Sequence, residues 1–312
     1  MKELEYLDII NKTLTDNSLL GDDCAFLKGA GLFVTQDTLV ENVHFELSTT
    51  NPYNLGYKSI AVNLSDLAAA ACEPEFITIS LSLPNYAQEA FVGEFYKGVD
   101  EICRKYGVKV AGGDLTGGNS VVISVCAIGK KVSKYFAARS NAKIGDIVFV
   151  TGNHGESAAA LNLFRIDKEN EFKMKHVRPE PKIFEGKLLA NAADRDFALM
   201  DSSDGLADAL FKIAQNSECT IEADFDRIPF NPAIKEYFPE KYKELIFWGG
   251  EDYELVGAMN ENVFKKLDSS RFFAIGRVVE KNSENSVIIK YAKSENCINE
   301  ATFFARSFNH FN

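Results

Sequence analysis

The chain has 312 residues, 46% of them hydrophobic, and a formal net charge of -11, which suits two domains with ordinary cores. That charge opposes a nucleic-acid backbone or an anionic membrane as partner, but not a phosphate ligand met through a bound cation. No apolar run is long enough to cross a bilayer, and Met1 to Asn11 lacks the basic start and apolar core of a signal peptide. Cysteines at 24, 72, 103, 126, 219 and 297 show neither CxxC nor close Cys/His spacing, which disfavours structural zinc and predicts a reduced, cytoplasmic setting.

In chain order, Asn51-Pro52 opens an Ala- and Leu-rich helix that runs to Ala71, ahead of Pro74, and carries Asp66. Ile77, Ile79, Leu81 and Leu83 alternate with Thr78, Ser80 and Ser82, the pattern of a half-buried strand. Phe91, Phe95, Val99, Ile102 and Tyr106 fall at helical spacing. Val108 to Ala111 predicts a short strand leading into a Gly112-Gly113-Asp114 turn, and Val121 to Ile128 a further strand. The polar, basic stretch from Lys130 to Lys143 separates two halves, and the boundary is set within it, giving domains 1–135 and 136–312.

In the second half, strands are predicted at Asp146–Val150, Phe197–Met200, Thr220–Ala223, Tyr253–Ala258, Phe272–Val279 and Val287–Tyr291. An Ala-rich helix follows the Thr151 to Ser157 glycine motif, and another runs from about Gly205 to Asn216. Without a strict βαβ rhythm, the expectation is mixed α/β and α+β layers and not a doubly wound sheet.

Six short acidic clusters punctuate these elements: Gly21-Asp22-Asp23, Thr35-Gln36-Asp37, Leu64-Ser65-Asp66, Gly112-Gly113-Asp114, Asp201-Ser202-Ser203-Asp204 and Gly249-Gly250-Glu251-Asp252. Singly, each reads more readily as turn or helix-cap chemistry than as a ligand site. As a set they lie at the ends of apolar segments, where carboxylates can converge on one rim of a sheet. Magnesium takes about six oxygen ligands, usually a few carboxylates completed by substrate phosphate and water, so the set points to a multi-magnesium phosphate site. Walker A, dinucleotide-binding, protein-kinase and nucleophile-elbow motifs are absent from the sequence.

Longer motifs carry a resemblance. Gly21 to Ala25, Thr38 to Phe45, Lys58 to Ala69, Gly112 to Asp114, Thr151-Gly152 with Gly155 to Ala159, Arg178 to Lys182, Asp201 to Leu206 and Gly249 to Leu255 resemble the thiamine-monophosphate kinase family, in its order and over nearly the whole chain. That family is similar in fold to aminoimidazole ribonucleotide synthetase. The resemblance implies an N-terminal α/β domain that forms a shared β-barrel in a homodimer, and a C-terminal α+β domain. It also implies the reaction, in which ATP as co-substrate and several Mg2+ ions convert thiamine monophosphate to thiamine diphosphate.

Carried over by motif, Asp23, Thr35, Gln36, Asp37, Asp66, Asp114, Asp201 and Asp204 match the metal positions, with Asp37 and Asp114 the catalytic pair. Tyr96, Gly113, Asp114, Arg139 and Ser203 match ATP positions, and His44, Glu251 and Phe308 the acceptor positions. Beside these stand plainer readings: Tyr96 as core, Phe308 as C-terminal packing, Arg139 as a solvated linker residue.

The chain also departs from the family pattern. Leu115-Thr116-Gly117-Gly118 lacks an arginine expected after Asp114, Gln36 replaces a Ser or Thr, and Glu156 replaces an Asp. Two rival readings stay open, another ATP-using enzyme of the same fold and a non-catalytic divalent-ion or nucleotide-binding regulator.

Overall fold

The computed structural model describes residues 2–87, 89–166, 170–291 and 294–306. Helix α1 (Lys2–Thr13) and the segment after it, to residue 22, are exposed throughout residues 5–22, including Leu7, Ile9 and Ile10.

The first sheet is built from β1 (Ala25–Leu27), β2 (Leu32–Val40), β3 (Glu73–Leu83), β4 (Lys109–Gly117) and β5 (Val122–Lys130), in the order β1-β2-β5-β3-β4. Helix α2 (Pro52–Ala69) connects β2 to β3, and α3 (Glu89–Tyr106) connects β3 to β4 as the crossover that a parallel pair requires. Asn51 caps α2 by accepting from the Asn54 N–H at 2.8 Å, with Pro52 in the first turn, where its missing N–H costs nothing.

The chain passes to the second sheet between residues 131 and 146, and the division set at 135/136 falls inside this connection. The second half runs β6 (Ile147–Val150), α4 (Glu156–Phe164), α5 (Lys173–Val177), α6 (Ile183–Ala192), β7 (Ala198–Asp201), α7 (Leu206–Asn216) and β8 (Thr220–Asp224). It continues through α8 (Ala233–Tyr237), α9 (Tyr242–Trp248), β9 (Leu255–Met259), α10 (Glu261–Phe264), β10 (Phe273–Val279), β11 (Val287–Tyr291), β12 (Ser294–Ile298) and α11 (Glu300–Arg306). Its strand order is β12-β11-β8-β10-β6-β9-β7, antiparallel except for the parallel β8/β11 pair. The mixed layers expected from the sequence are therefore present.

Buried on nearly every side, α2 joins the two halves. Its Leu55, Ile60, Leu64 and Leu67 belong to one apolar cluster with Ile183, Leu189, Phe197 and Leu255 of the second half. The Arg178 to Lys182 motif straps the halves from outside. The Arg178 guanidinium lies 4.2 Å from the Tyr57 ring and pairs with Glu101 at 2.6 Å, and Glu180 pairs with Lys105 at 2.6 Å, while Lys182 anchors the motif within the second half by pairing with Glu254 at 3.0 Å.

One prediction is corrected. Gly112-Gly113-Asp114 is no turn but the middle of β4, paired in parallel with Thr78, Ile79 and Ser80 of β3. A Cβ on Gly113 would stand 1.9 Å from the Ile79 carbonyl oxygen, so glycine there permits close strand approach. The short helices α5, α8, α9, α10 and α11 were not foreseen, because four to seven residues are too few to display a 3.6-residue repeat.

Candidate active site

Asp23 stands just before β1, Asp66 in the last turn of α2 and Asp201 at the end of β7. One carboxylate oxygen from each lies within 4.8 Å of the others. Their neighbours fix them in place. The Thr35 hydroxyl donates to Asp66 Oδ2 at 2.5 Å, and the Ser65 hydroxyl to Asp201 Oδ2 at 2.6 Å. Asn63 Oδ1 accepts from the Asp37 N–H at 3.0 Å, tying β2 to α2 beside the cluster.

Three carboxylates this close strain the electrostatics. Burial, then Asp37, Asp201 and Asp23, hold the Asp66 carboxyl well above the usual range; burial and Asp23 raise Asp201 to about 7. Asp22 is likewise raised to about 6 by burial and Asp23. Arg139 supplies positive charge from one side, its Nη2 donating to Asp23 Oδ1, while Asp23 Oδ2 is buried without a hydrogen-bond partner. The donor set, all hard oxygens with one orphaned, fits a divalent cation such as Mg2+. Oxygens each about 2.1 Å from such an ion lie at most about 4.2 Å apart, so the cluster needs only modest closing.

The last two acidic clusters pack against each other. Gly250 makes this possible, since a Cβ there would meet the Ser203 carbonyl oxygen at 2.7 Å. Directly after it the Glu251 N–H donates to that oxygen at 2.7 Å, with Glu251 and Tyr253 both in left-handed conformations (φ 65° and 53°) that non-glycine residues seldom adopt. Asp252 holds the strained segment down by accepting from Gly155 N–H at 2.6 Å and Ser157 N–H at 3.0 Å. Those two N–H groups open α4, so Asp252 satisfies part of the helix start and latches the glycine motif to the segment before β9.

Between the clusters lies a cavity of about 1140 Å³. Asp37, Asp66, Ser203 and Asp204 line it together with His44, His176 and Glu251. Asp204 pairs with Lys212 at 3.1 Å. His44 Nδ1 accepts from the Val40 N–H at 3.0 Å, which leaves the ring proton on Nε2.

Several expected residues stand apart. The Gln36 side chain leaves the acidic face: strand alternation turns it away from Thr35 and Asp37, and it bonds Ser124 Oγ at 3.1 Å. Tyr96 packs edge-on against Phe95 on α3 and does not line the cavity. Arg139, matched to an ATP position, does not take the plainer reading of a solvated linker residue: it is largely buried against Asp23, beside the acidic cluster. Gly113 and Asp114 sit on the outer strand β4, which is exposed along its whole length. The register runs Thr38, Ser124, Ser80, Asp114 across β2, β5, β3 and β4, and three spacings of about 4.8 Å put Asp114 about 14 Å from β2. Phe308 lies outside the described residues.

Sequence reasoning also missed site residues. Lys58 pairs with Glu251 at 2.9 Å, and His176 Nδ1 lies 3.3 Å from the other Glu251 oxygen and 2.9 Å from Ser157 Oγ. A signal for Lys58 existed, because it is the one charged residue between Pro52 and Ser65 in an otherwise apolar and small-residue helix.

Known proteins match the sequence and the fold of this chain. Residues 21–130 match the AIR synthase related protein N-terminal domain, and residues 143–289 its C-terminal domain. Thiamine-monophosphate kinase of Bacillus subtilis is 33% identical over 309 residues, covering 94% of this chain and 93% of that protein. The enzyme of the same name from Buchnera aphidicola subsp. Schizaphis graminum is 36% identical, covering 94% and 92%. Among solved structures, AaThiL complexed with AMPPCP and TMP superposes with a TM-score of 0.83 at 32% identity, covering 94% of this chain and 96% of that one. On the length and order of these matches, the chain belongs to the thiamine-monophosphate kinase family.

Proposed function

We propose that the protein transfers the γ-phosphoryl group of ATP to the phosphate of thiamine monophosphate, in line and without a covalent intermediate, giving thiamine diphosphate. The observation that carries this reading is one continuous cavity, acidic where Asp37, Asp66 and Asp204 line it and furnished elsewhere with His44, His176 and Glu251. A relative of 32% identity is known with AMPPCP and TMP together, and that pair of ligands is carried to this cavity.

The acceptor oxygen is already anionic near neutral pH, so no strong base is needed. What must be overcome is repulsion, about 4 kcal/mol per charge pair at 4 Å and an effective dielectric near 20. Asp23, Asp66 and Asp201 would hold Mg2+, with Asp37 and Asp204 beside them. When bound, the ions supply charge neutralisation and alignment of the phosphates. Thr35 and Ser65 orient the carboxylates, Arg139 and Ser203 serve the nucleotide, and His44 offers an Nε2–H to the acceptor. Tyr96 and Phe308 keep their assignments, to adenine and to the acceptor ring, from the resemblance alone.

A homodimer completes the site in this reading. Every residue of β4 is exposed, Val110 and Leu115 among them, and such an open apolar edge favours pairing with another chain. Gly113 and Asp114 would then enter the active site of the partner subunit. Among the described residues no helix is long and apolar enough to cross a membrane, and we assign the protein to the cytoplasm.

The test is direct. Purified protein with Mg2+, ATP and thiamine monophosphate should yield thiamine diphosphate on chromatographic separation, and no product above a protein-free control rejects the proposal. Free thiamine as acceptor should give none.

A further inference from the structure

Lys58 lies in the middle of α2 with its side chain only 4% exposed, and its Nζ stands 2.9 Å from Glu251 Oε1 in the loop before β9. Apart from this ion pair the ammonium nitrogen is buried without a hydrogen-bond partner. Such a group is a poor stabiliser, because desolvating an ammonium costs more than one imperfect carboxylate contact returns, and an apolar side chain of similar volume would pack there as well or better. Stability therefore does not account for Lys58. Its effect on Glu251 does.

Glu251 lines the cavity with its side chain 27% exposed, on backbone held left-handed and tied to the Ser203 carbonyl. His176 approaches the second carboxylate oxygen, but burial, helped by Lys58, lowers its pKa to about 4, so the ring is neutral at pH 7. Lys58 is thus the full positive charge set directly against the carboxylate. Burial pushes the Glu251 carboxyl up; Lys58 foremost, then His176, more than reverse this and leave it below the ordinary range. Lys58 does not line the cavity, whereas Val62, one turn further along α2, does.

We infer that Lys58 is a positioning residue, which fixes the Glu251 carboxylate on the cavity wall as an ordered hydrogen-bond acceptor for the N–H groups of the phosphate-accepting substrate. This rests on the reading of the cavity as a thiamine monophosphate site. Lys58 and Glu251 together are electrically balanced, so the carboxylate's contribution is directional and depends on its being held in place. Without the ammonium, a half-buried carboxylate is left to take a proton or turn towards water, and in either case it no longer presents the same acceptor.

The experiment compares wild type, Lys58→Met, Glu251→Gln and the double variant, by direct titration with thiamine monophosphate and by steady-state kinetics with Mg2+ and ATP. Lys58→Met should weaken thiamine monophosphate binding and raise its KM about tenfold, with kcat and the KM for ATP within about twofold of wild type. The double variant, which removes both charges of the pair together and so guards against a folding failure, should bind no more weakly than Glu251→Gln alone. Unchanged thiamine monophosphate affinity in Lys58→Met, multiplied losses in the double variant, or a joint loss of kcat and both KM values overturns the inference. Failure of the wild type to bind thiamine monophosphate overturns the proposed function as well, which separates the two.

Discussion

Arg139 and Asp23 meet at the seam between the two sheets, the guanidinium Nη2 donating to Oδ1 of a carboxylate whose other oxygen has no hydrogen-bond partner. Arg139 thus acts as an internal counter-ion to an acidic cluster that also contains Asp66 and Asp201. Arg139→Met should lower stability without metal by about 3 kcal/mol, since breaking a buried pair strands a charge. Added Mg2+ should restore more stability in this variant than in wild type. Thermal melts with and without Mg2+ check this, and an equal Mg2+ effect in both proteins would contradict it.

Asp201 gives a pH signature. Burial, then Asp23, raise it to about 7, whereas the unfolded chain releases the same proton near the ordinary value of about 4. The folded state therefore binds more protons between those values, so this stability is complete below about pH 4 and lost as pH rises through about 7. Cation uptake must expel the proton, so Mg2+-induced stabilisation should grow from pH 5 to 7 and then level off. Buried His154 and His176, both lowered to about 4 by burial, slope the opposite way. They remain in Asp201→Asn, so scanning fluorimetry of the two proteins cancels their contribution; a Mg2+ effect independent of pH in wild type would refute the assignment.

Asp114 tests the shared site. Asp114→Asn should lower turnover about a hundredfold with little change in melting temperature, because asparagine keeps the shape of the side chain and removes only its charge. Mixing Asp114→Asn with Asp201→Asn should recover about a quarter of wild-type activity, because half of the random dimers regain one intact site of two. No recovery in mixed dimers, verified by two different tags, would place Asp114 in its own subunit's site or in none.

Gly250→Ala should act through the Glu251 loop. The added methyl would meet the Ser203 carbonyl and push the two acidic clusters apart, at about 1–3 kcal/mol of stability. Thiamine monophosphate affinity should fall more than nucleotide affinity, as read by calorimetric titration.

Arg178→Ala should loosen the strap between the halves. It removes the stacking on Tyr57 and the contact with Glu101, both partly solvent-screened, so about 1–2 kcal/mol is expected in urea unfolding, with activity per folded molecule retained.

The sequence by itself determined the elements with strong periodicity and the identity of the chemistry. Pro52 to Ala69 announced its helix through cap, proline and composition, and Ile77 to Leu83 its strand through alternation, because local rules govern such segments. Asp23, Asp66 and Asp201 were legible as motif members; that their oxygens lie within 4.8 Å of one another was not, since 178 residues separate the first from the last. Tertiary structure also decided that Gly113 is strand and not turn, that Gln36 faces away from the cluster, and that Arg139 belongs inside it. The physical reason is the same in each case. Strand register, face and ion pairing are set by what packs opposite, and no local pattern records the opposite partner: a lone charge between Pro52 and Ser65 could have drawn attention to Lys58, but only the fold could show Glu251 waiting 2.9 Å away.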